Sequence, residues 1–451
     1  MRGYFLATHG ELGGLSRVVK LEVGAKLTSE IETPSRTPIS HASGMRIPAH
    51  PRRPVARLPP SSLRYRCHTT PPWRTYTILG IETSCDDTSV CVLDRYSPTA
   101  PPNIVFSRRT STDNAQFGGI IPTVALEHHQ RSLAVTVASA LSFLRDEYTG
   151  KPDLIAVTRG PGLRASLAAG TELAKGLSLA FQVPLIGVHH MLGHLLVSRM
   201  LAPPAAAPHF PFLSLLVSGG HTMLVRSISL TQHEIIANTV DIAVGDAVDK
   251  CARALGLSAA TMLGPELEKL AQRADAINTS TVVDPGISIS VPMRPKPGRP
   301  QAAAFSFSSY VTMVERGIKA RTTTLNQDEL ALVARQTENA IFTQIVERVQ
   351  FAIKSHRLPP MDFVCSGGVA SNARLRETLE TAFPQHKLYF PPPKLCTDNA
   401  EMIAWAGIEL WESLGLHTSL DFLPTATWPL EGFLDNIDCW LREEQADRAF
   451  A

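Results

Sequence analysis

The sequence predicts an α/β protein of two duplicated lobes with a ligand cleft between them. A chain of 451 residues is too long for one compact core. Two strand–turn–strand hairpins with polar turns occur, at residues 76–93 and 212–225. Glycine-rich turns follow buried strands at residues 218–222 and 366–372, where backbone amides can approach an anion or a nucleotide. This recurrence predicts a duplication around a ligand, and two unrelated hairpins are the alternative.

The first 75 residues do not belong to the predicted fold. They contain 12 Lys and Arg residues against 4 Asp and Glu residues, and they are rich in Pro, Ser and Thr. From Met45 to Ile81 there are seven arginines and no acid, which is typical of a mitochondrial presequence. A disordered basic tail is the alternative, because prolines interrupt any long amphipathic helix here. All four acids precede Met45, so we expect that translation can begin there.

Three further segments are predicted after this N-terminal stretch. We expect a first lobe at residues 76–200, a second lobe at residues 201–438 with an irregular proline-rich loop at about 276–303, and a tail at residues 439–451. Other expected elements are a helix after Pro122 carrying Glu127, His128 and His129, a strand at 154–157, helices from about Arg164 and after Asp241, a long helix from about Gln327 to His356, and a helix at about 373–383.

The charge and cysteine content exclude some classes of protein. Residues 76–451 contain 31 basic and 37 acidic residues, so any RNA contact must come from local basic patches. The seven cysteines include no CxxC pair, which indicates a reducing compartment, and no apolar run reaches the roughly 18 residues of a membrane span. Two basic groups could contact RNA or could simply form a solvated charged surface: Arg294, Lys296 and Arg299, and Arg316, Lys319 and Arg321.

A histidine pair at the end of the first lobe indicates a metal site. Residues 184–188 read as a short buried strand, and the helix expected after it places His190 and His194 on one face. Two imidazoles in this arrangement can hold one divalent cation. Asp398, in a loop just before a helix, is the best candidate for a third ligand. There is an alternative for each part of this site. The histidines could be two ordinary residues of a helix, and Thr397 or Asp398 could only cap the helix that follows.

Taken together, the motifs resemble those of one known family. They lie in order at residues 80–88, 188–196, 216–222, 246–250, 305–308, 366–372 and 396–399. As a set they resemble the TsaD family of tRNA N6-adenosine threonylcarbamoyltransferases, once described as glycoproteases, over about residues 76–410. With the presequence, the resemblance is strongest to the mitochondrial branch.

The resemblance implies an actin-like ATPase (ASKHA) fold and a specific reaction. A threonylcarbamoyl group would pass from threonylcarbamoyl-AMP, supplied by a separate synthase, to N6 of adenosine 37. This adenosine lies next to the anticodon of tRNAs that read codons beginning with adenine. The resemblance further implies a homodimer in the mitochondrial matrix, with tRNA as the macromolecular substrate.

The resemblance also assigns the site residues. One divalent metal, Zn²⁺ or Fe²⁺, would be held by His190, His194 and Asp398. These three residues and Asp87 are the implied catalytic positions. The nucleotide part of the donor, or an ATP-like ligand, would be bound by Leu216, Val217, Ser218, Gly219, Gly220, Asp249, Gly264 and Asn372.

Several positions depart from the family pattern. Leu192 and Asp87 stand where the family usually has Glu, and Gly264 follows Leu263 where the family usually has a second glycine. Other functions remain open at this point: a metalloprotease, a sugar kinase or ATPase of the same fold, and a non-catalytic RNA- or protein-binding scaffold. Zincin metalloproteases need Glu directly after the first histidine, and Met191 occupies that position.

Overall fold

Two mixed β-sheets with flanking helices form the framework of the computed structural model. The structure describes residues 74–112, 119–258, 262–277, 285–294, 302–435 and 439–442. The predicted presequence lies almost entirely outside the described residues, as do parts of the proline-rich loop and of the tail. None of the helices in the described ranges combines the length and apolarity needed to cross a bilayer.

The first sheet combines an antiparallel meander with two parallel strands. Its strands are β1 (Tyr76–Glu82), β2 (Asp87–Arg95), β3 (Asn103–Ser111), β4 (Leu154–Gly160) and β5 (Leu185–His189). Their order is β3-β2-β1-β4-β5, with β4 parallel to β1 and β5 parallel to β4. The helices of this part are α1 (Pro122–Glu147), α2 (Arg164–Phe181) and α3 (His190–Met200). The interior strands read as continuous apolar runs because both faces of the sheet are covered.

The second sheet repeats this topology. Its strands are β6 (Phe212–Val217), β7 (Thr222–Ser227), β8 (His233–Thr239), β9 (Ala304–Phe305), β10 (Phe363–Ser366) and β11 (Leu388–Tyr389), in the order β11-β10-β6-β7-β8-β9. β6, β7 and β8 form an antiparallel meander. β10 pairs in parallel with β6, β11 pairs in parallel with β10, and β9 pairs with β8 at the opposite edge of the sheet. The helices are α4 (Val244–Ala254), α5 (Gly264–Arg273), α6 (Ser308–Lys319), α7 (Gln327–Ser355) and α8 (Ala373–Ala382). The duplicated topology is that of the actin-like ATPase fold and confirms the predicted fold class.

The chain returns to the first sheet near its end. After the short α9 (Pro393–Cys396) come α10 (Ala400–Leu414), β12 (Leu416–Thr418) and β13 (Trp440–Arg442). α10 packs on the first sheet and on α3, and the backbone amide of Gly187 in β5 donates to Thr418 Oγ1 at 2.8 Å. The predicted segment 201–438 therefore includes a helix, α10, that is apolar on almost every side and is buried against the first sheet and α3. The bounds of the predicted segments stay predictions.

Two glycines allow α10 to lie close to the sheet. A Cβ atom at Gly407 would lie 2.8 Å from Ala156 Cβ, and one at Gly80 would lie 2.6 Å from the Ala400 carbonyl oxygen. One apolar core then joins β1, β5, α3, α10, β6 and β10. The helix that carries the histidine pair therefore lies in the central layer of the molecule.

The predicted Phe-Ser-Phe-Ser motif at residues 305–308 has a structural partner in Asp241. The Asp241 carboxylate accepts hydrogen bonds from the hydroxyls of Ser306 (2.6 Å) and Ser308 (2.7 Å) and from the Phe307 amide (2.9 Å). The carboxylate thereby ties the connection after β8 to the start of α6. Partial burial opposes ionisation, but these hydrogen bonds lower the pKa of Asp241 to about 2.

Asp241→Ala should lower the free energy of unfolding at pH 7 by about 1–2 kcal/mol, because three donors at the start of α6 lose their acceptor. The pKa of Asp241 in the folded protein lies below its ordinary value of 3.8. The stability that the Asp241 carboxylate contributes is therefore fully present above pH 3.8 and is lost as the pH falls toward 2. Denaturant unfolding between pH 7 and pH 3 checks this, with Asp246→Ala, an exposed ion-pair partner of Lys250, as control. If the unfolding free energies of Asp241→Ala and of the unsubstituted protein differed by the same amount at pH 3 as at pH 7, this prediction would be wrong.

Candidate functional site

The predicted histidine pair lies at the start of a buried helix. β5 ends at His189, whose Nδ1 accepts a hydrogen bond from the Met191 amide and so caps α3. Burial lowers the pKa of His189 to about 3, so its ring is neutral and serves as the cap. His190 and His194 follow on one face of α3, each about 5% exposed or less, with ring centroids 4.8 Å apart.

Asp398 does not cap the helix that follows it. The N-cap of α10 is Asn399, whose Oδ1 accepts a hydrogen bond from the Met402 amide at 2.8 Å. The alternative of Thr397 or Asp398 as the cap is therefore wrong. Because Asn399 satisfies the helix end, the Asp398 side chain can face α3 instead.

The three predicted metal ligands converge. Asp398 Oδ1 lies 3.1 Å from His194 Nε2 and 3.5 Å from His190 Nε2. One ligand atom from each residue lies within 4.8 Å of the other two. Two imidazole nitrogens and one carboxylate oxygen that face a common point fit a single divalent cation with open coordination positions.

Electrostatics couple the members of this group. Burial alone would raise the pKa of the Asp398 carboxyl, but the two adjacent imidazoles hold it well below its usual range. Burial disfavours the charged form of His190, yet the carboxylates of Asp398 and Glu82 raise its pKa to about 9. The group therefore attracts positive charge, which a divalent cation can also supply.

The turn between β1 and β2 brings Asp87 to the same region. Burial raises the pKa of Asp87 to about 6, although a hydrogen bond from Ser111 and the positive charge of Arg109 both act to lower it. Arg109 Nη1 lies 4.0 Å from Asp87 Oδ2 and also donates to Thr397 Oγ1 and to the Asp398 carbonyl oxygen. Arg109 thus connects Asp87 with the loop that carries the third metal ligand.

His129, on α1, supports this turn from behind. Its Nε2 lies 2.9 Å from the Cys85 carbonyl oxygen, and its Nδ1 lies 2.7 Å from Thr88 Oγ1. Burial lowers the pKa of His129, so the neutral ring donates to the carbonyl and accepts from the hydroxyl. His129 therefore contacts the chain on both sides of Asp87, at the Cys85 backbone and at the Thr88 side chain.

The glycine-rich turns of the second lobe lie side by side. β10 pairs with β6 in parallel, with Ser366 opposite Leu216, so residues 218–220 and 367–368 leave the sheet at the same end of the two strands. Gly367 has a φ of +98°, and a Cβ atom there would lie 2.4 Å from the Val217 carbonyl oxygen. Gly220, in contrast, is exposed, and a Cβ atom there would meet nothing within 4 Å. Gly367 is therefore required by the fold, whereas Gly220 is not.

These turns adjoin the metal ligands. Ser366 Oγ donates to the His194 carbonyl oxygen at 2.9 Å. A Cβ atom at Gly368 would lie 3.7 Å from Thr397 Cγ2, next to Asp398. The structure therefore places the predicted nucleotide turns beside the predicted metal centre.

Asp249 and Gly264, both assigned to the nucleotide site by the resemblance, contact each other in the structure. Asp249 Oδ1 accepts hydrogen bonds from the amides of Leu263 (3.0 Å) and Gly264 (2.8 Å) at the start of α5. Burial raises the pKa of Asp249, and these hydrogen bonds oppose the rise. Asp249 thus orders the loop that leads to Gly264, in addition to any contact with a ligand.

Asn372 already has two partners within the protein. Its Oδ1 caps α8 by accepting from the Leu375 amide at 3.0 Å, and its Nδ2 donates to Glu338 Oε1 at 2.9 Å. Glu338, whose pKa burial raises to about 7, lies inside α7. Sequence reasoning missed Glu338 because a buried acid within a long helix leaves no periodic signal. It also passed over His221, whose pKa is lowered to about 4 by burial and by the nearby His190 and His194.

The basic groups proposed for RNA contact are largely paired with acids. Arg294 pairs with Glu347 at 2.9 Å and Arg321 with Glu329 at 2.9 Å. Lys319 lies 3.7 Å from Glu315 in the same helix. Lys296 and Arg299 lie outside the described residues. These pairs fit the alternative of a solvated charged surface for both groups.

The fold and the candidate site together indicate the class of protein. The duplicated sheets are those of an actin-like protein. This protein has a candidate metal centre, formed by converging imidazole and carboxylate donors, beside two glycine turns. The family model for tRNA N6-adenosine threonylcarbamoyltransferase (TsaD) matches residues 103–405. The chain belongs to the TsaD family, whose members are transferases.

Two proteins that are similar in sequence agree with this assignment. The mitochondrial tRNA N6-adenosine threonylcarbamoyltransferase of Schizosaccharomyces pombe is 39% identical over 387 residues, covering 82% of this chain and 90% of that protein. The enzyme of that name from Novosphingobium aromaticivorans is 36% identical over 364 residues, covering 78% and 95%. Among solved structures, full-length HypF in its phosphate- and nucleotide-bound form covers 75% of this chain and 47% of its own, at 12% identity and a TM-score of 0.46.

The two glycine turns should respond differently to an added methyl group. Gly367→Ala should lower the free energy of unfolding by about 1–3 kcal/mol, because its backbone conformation disfavours a side chain. Gly220→Ala should change it by less than about 0.5 kcal/mol but weaken AMP binding, because a ligand backbone contact is blocked. Denaturant unfolding and calorimetric AMP titration check both. Unchanged AMP affinity in Gly220→Ala would leave that turn without a role in binding.

Proposed function

We propose that this protein transfers a threonylcarbamoyl group from threonylcarbamoyl-AMP to N6 of adenosine 37 in mitochondrial tRNAs that read codons beginning with adenine. Membership of the TsaD family supports the reaction. The structural observation that carries the proposal is the convergence of His190, His194 and Asp398 beside two glycine turns. A transferase that handles an adenylate needs both features in one cleft.

The reaction sets clear demands on the site. The N6 nitrogen forms a bond to the carbamoyl carbon, and the bond from this carbon to the AMP phosphate oxygen breaks. The phosphate oxygen leaves with the electron pair, and the amine gives up one proton. Because the donor is a mixed carbamic–phosphoric anhydride and the nucleophile is a weak aromatic amine, catalysis depends on positioning and charge neutralisation more than on a strong base.

The residues divide these tasks. His190, His194 and Asp398 would hold the divalent cation, and both Zn²⁺ and Fe²⁺ suit this donor set. The bound cation supplies a Lewis acid and positive charge for the departing phosphate. Asp87 is the proposed acceptor of the amine proton, because a carboxylate whose pKa is about 6 is ionised and still basic near neutral pH.

The second lobe would hold the adenylate. Residues 216–220 lie where the parallel strands β6 and β10 end, which is where ligands bind in such sheets. Asp249, Gly264 and Asn372 would complete the pocket around the nucleoside. A metalloprotease lacks support, because Met191, in the position of the zincin glutamate, is only 3% exposed within the apolar core.

Transfer of labelled threonine into unmodified tRNA tests the proposal. The assay contains the purified chain, the enzyme that forms threonylcarbamoyl-AMP, bicarbonate and ATP. His190→Ala and His194→Ala should each reduce incorporation by more than about 10–100-fold, the loss expected when only the support of a metal ligand is removed. His209→Ala, which changes an exposed histidine elsewhere, should retain full activity. Incorporation that survives both site substitutions would leave the histidines with a structural role.

The same preparation tests the implied assembly. We propose that the chain acts as a homodimer and needs the synthase but no further subunit. Light scattering should therefore give twice the chain mass under assay conditions, and the two purified proteins should suffice for incorporation. A monomer that is fully active would contradict the dimer without affecting the reaction.

We also propose that the chain is imported into the mitochondrial matrix. A fusion of residues 1–75 to a fluorescent protein should reach mitochondria, because an arginine-rich, acid-free segment follows the membrane potential inward. A fusion with the seven arginines between positions 45 and 75 changed to Gln should stay outside. Equal import of both fusions would show that these arginines do not direct the protein.

A further inference from the structure

A buried carboxylate lies behind the histidine pair, on the side away from Asp398. Glu82 is the last residue of β1, and its side chain is 0% exposed. Its Oε1 accepts a hydrogen bond from the Ser84 amide at 2.5 Å, and its Oε2 accepts one from the Thr158 hydroxyl. The same Oε2 lies 3.3 Å from His190 Nδ1.

These contacts determine how His190 is oriented. A carboxylate offers only acceptor atoms, so His190 must carry its proton on Nδ1 to bond with Glu82. Ser84 Oγ lies 3.2 Å from the same nitrogen and can share this proton. This leaves Nε2, which lies 3.5 Å from Asp398 Oδ1, as the ring nitrogen that can give up its proton and bind a cation. This is the arrangement of a metal-binding histidine whose second nitrogen donates to a carboxylate.

We propose that Glu82 is a positioning residue of the metal centre, which fixes the tautomer and ring orientation of His190 and strengthens its bond to the cation. The inference deepens the proposed function and rests on it. Glu82 does not touch the cation or the substrate in this arrangement. It acts through His190 alone.

The two histidines differ in what contacts their Nδ1 atoms. His194 Nδ1 is buried and has no hydrogen-bond partner among the residues that the structure describes. The Nδ1 side of the His194 ring is therefore held by the packing of α3 in the central core, whereas the Nδ1 side of the His190 ring is held by Glu82. A change at Glu82 should then act on one ligand of the pair.

The carboxylate that contacts His190 Nδ1 comes from β1. Leu192, between the two histidines in α3, is 0% exposed and belongs to the apolar core. Within the described ranges, the carboxylates within 4 Å of His190 are Asp398, a proposed ligand, and Glu82. Glu82 is thus the one of these two carboxylates that can act through the other ring nitrogen of His190.

Zn²⁺ affinity of the full chain tests this inference without tRNA or donor. The dissociation constant is measured by competition with a chromogenic zinc chelator. Glu82→Gln, which keeps the size of the side chain but removes its charge, should raise it about 10–100-fold. Glu82→Asp, which keeps the charge but shortens the side chain, should raise it as well and provides a second variant if Gln impairs folding. Unchanged affinity in both would overturn the proposal.

Two controls separate positioning from general stability. Glu409→Gln changes another buried carboxylate, which pairs with Arg199 of the same helix α3 at 2.8 Å. It should lower the melting temperature of the metal-free protein but leave the Zn²⁺ affinity unchanged. Ser84→Ala should change the affinity less than about threefold, and a loss larger than that of Glu82→Gln would assign the positioning role to Ser84 instead.

His190→Ala distinguishes this inference from the proposed function. If His190→Ala lowers the Zn²⁺ affinity and Glu82→Gln does not, the metal centre stands and the role of Glu82 fails. If neither substitution changes the affinity, the metal centre itself fails, whatever the outcome of the tRNA assay.

Discussion

The close packing of α3 against α10 in the central layer is the constraint on which the site depends. A Cβ atom at Gly193 would lie 3.0 Å from Met402 Cγ and 3.3 Å from the Met402 carbonyl oxygen, so an added methyl group would require α10 or its side chains to shift by a few tenths of an ångström. Asp398 stands two residues before α10, and its position is therefore set by where this helix is seated. If the helices moved apart, Asp398 could not reach His194 at 3.1 Å.

The site also shows how a buried polar cluster is stabilised within an apolar layer. Burying ionisable groups is costly unless each group has a partner. Here Glu82 has donors from three segments, and Asp398 has two imidazoles. Asn399 satisfies the end of α10, which leaves Asp398 free for this purpose. The polar contacts thus orient a few side chains, while the surrounding aliphatic residues hold the two helices together.

Both halves of the duplicated fold contribute to the cleft. The first sheet supplies Asp87 through the β1–β2 turn, and the second sheet supplies the glycine turns at the ends of β6 and β10. The hydrogen bond from Ser366 to the His194 carbonyl joins these parts directly. The proposed adenylate site and the proposed metal centre are therefore adjacent in the structure.

Local patterns in the sequence were sufficient for much of the fold. The strand at Phe212–Val217, the long helix at Gln327–Ser355 and the spacing of His190 and His194 follow from apolar periodicity and helix geometry. The motifs in their order identified the family. The sequence also contained the acid at position 398, but its capping motif could be read in more than one way.

Only the tertiary structure decided which distant groups meet. Asp398 and His194 are 204 residues apart in sequence, and Glu82 and His190 are 108 apart. Three further features depend on how buried faces pack. These are the return of α10 to the first sheet, the use of Asn399 as its cap and the pairing of Glu338 with Asn372. Periodicity records which face of an element is apolar, but the partner of that face is selected by the shape of the whole core.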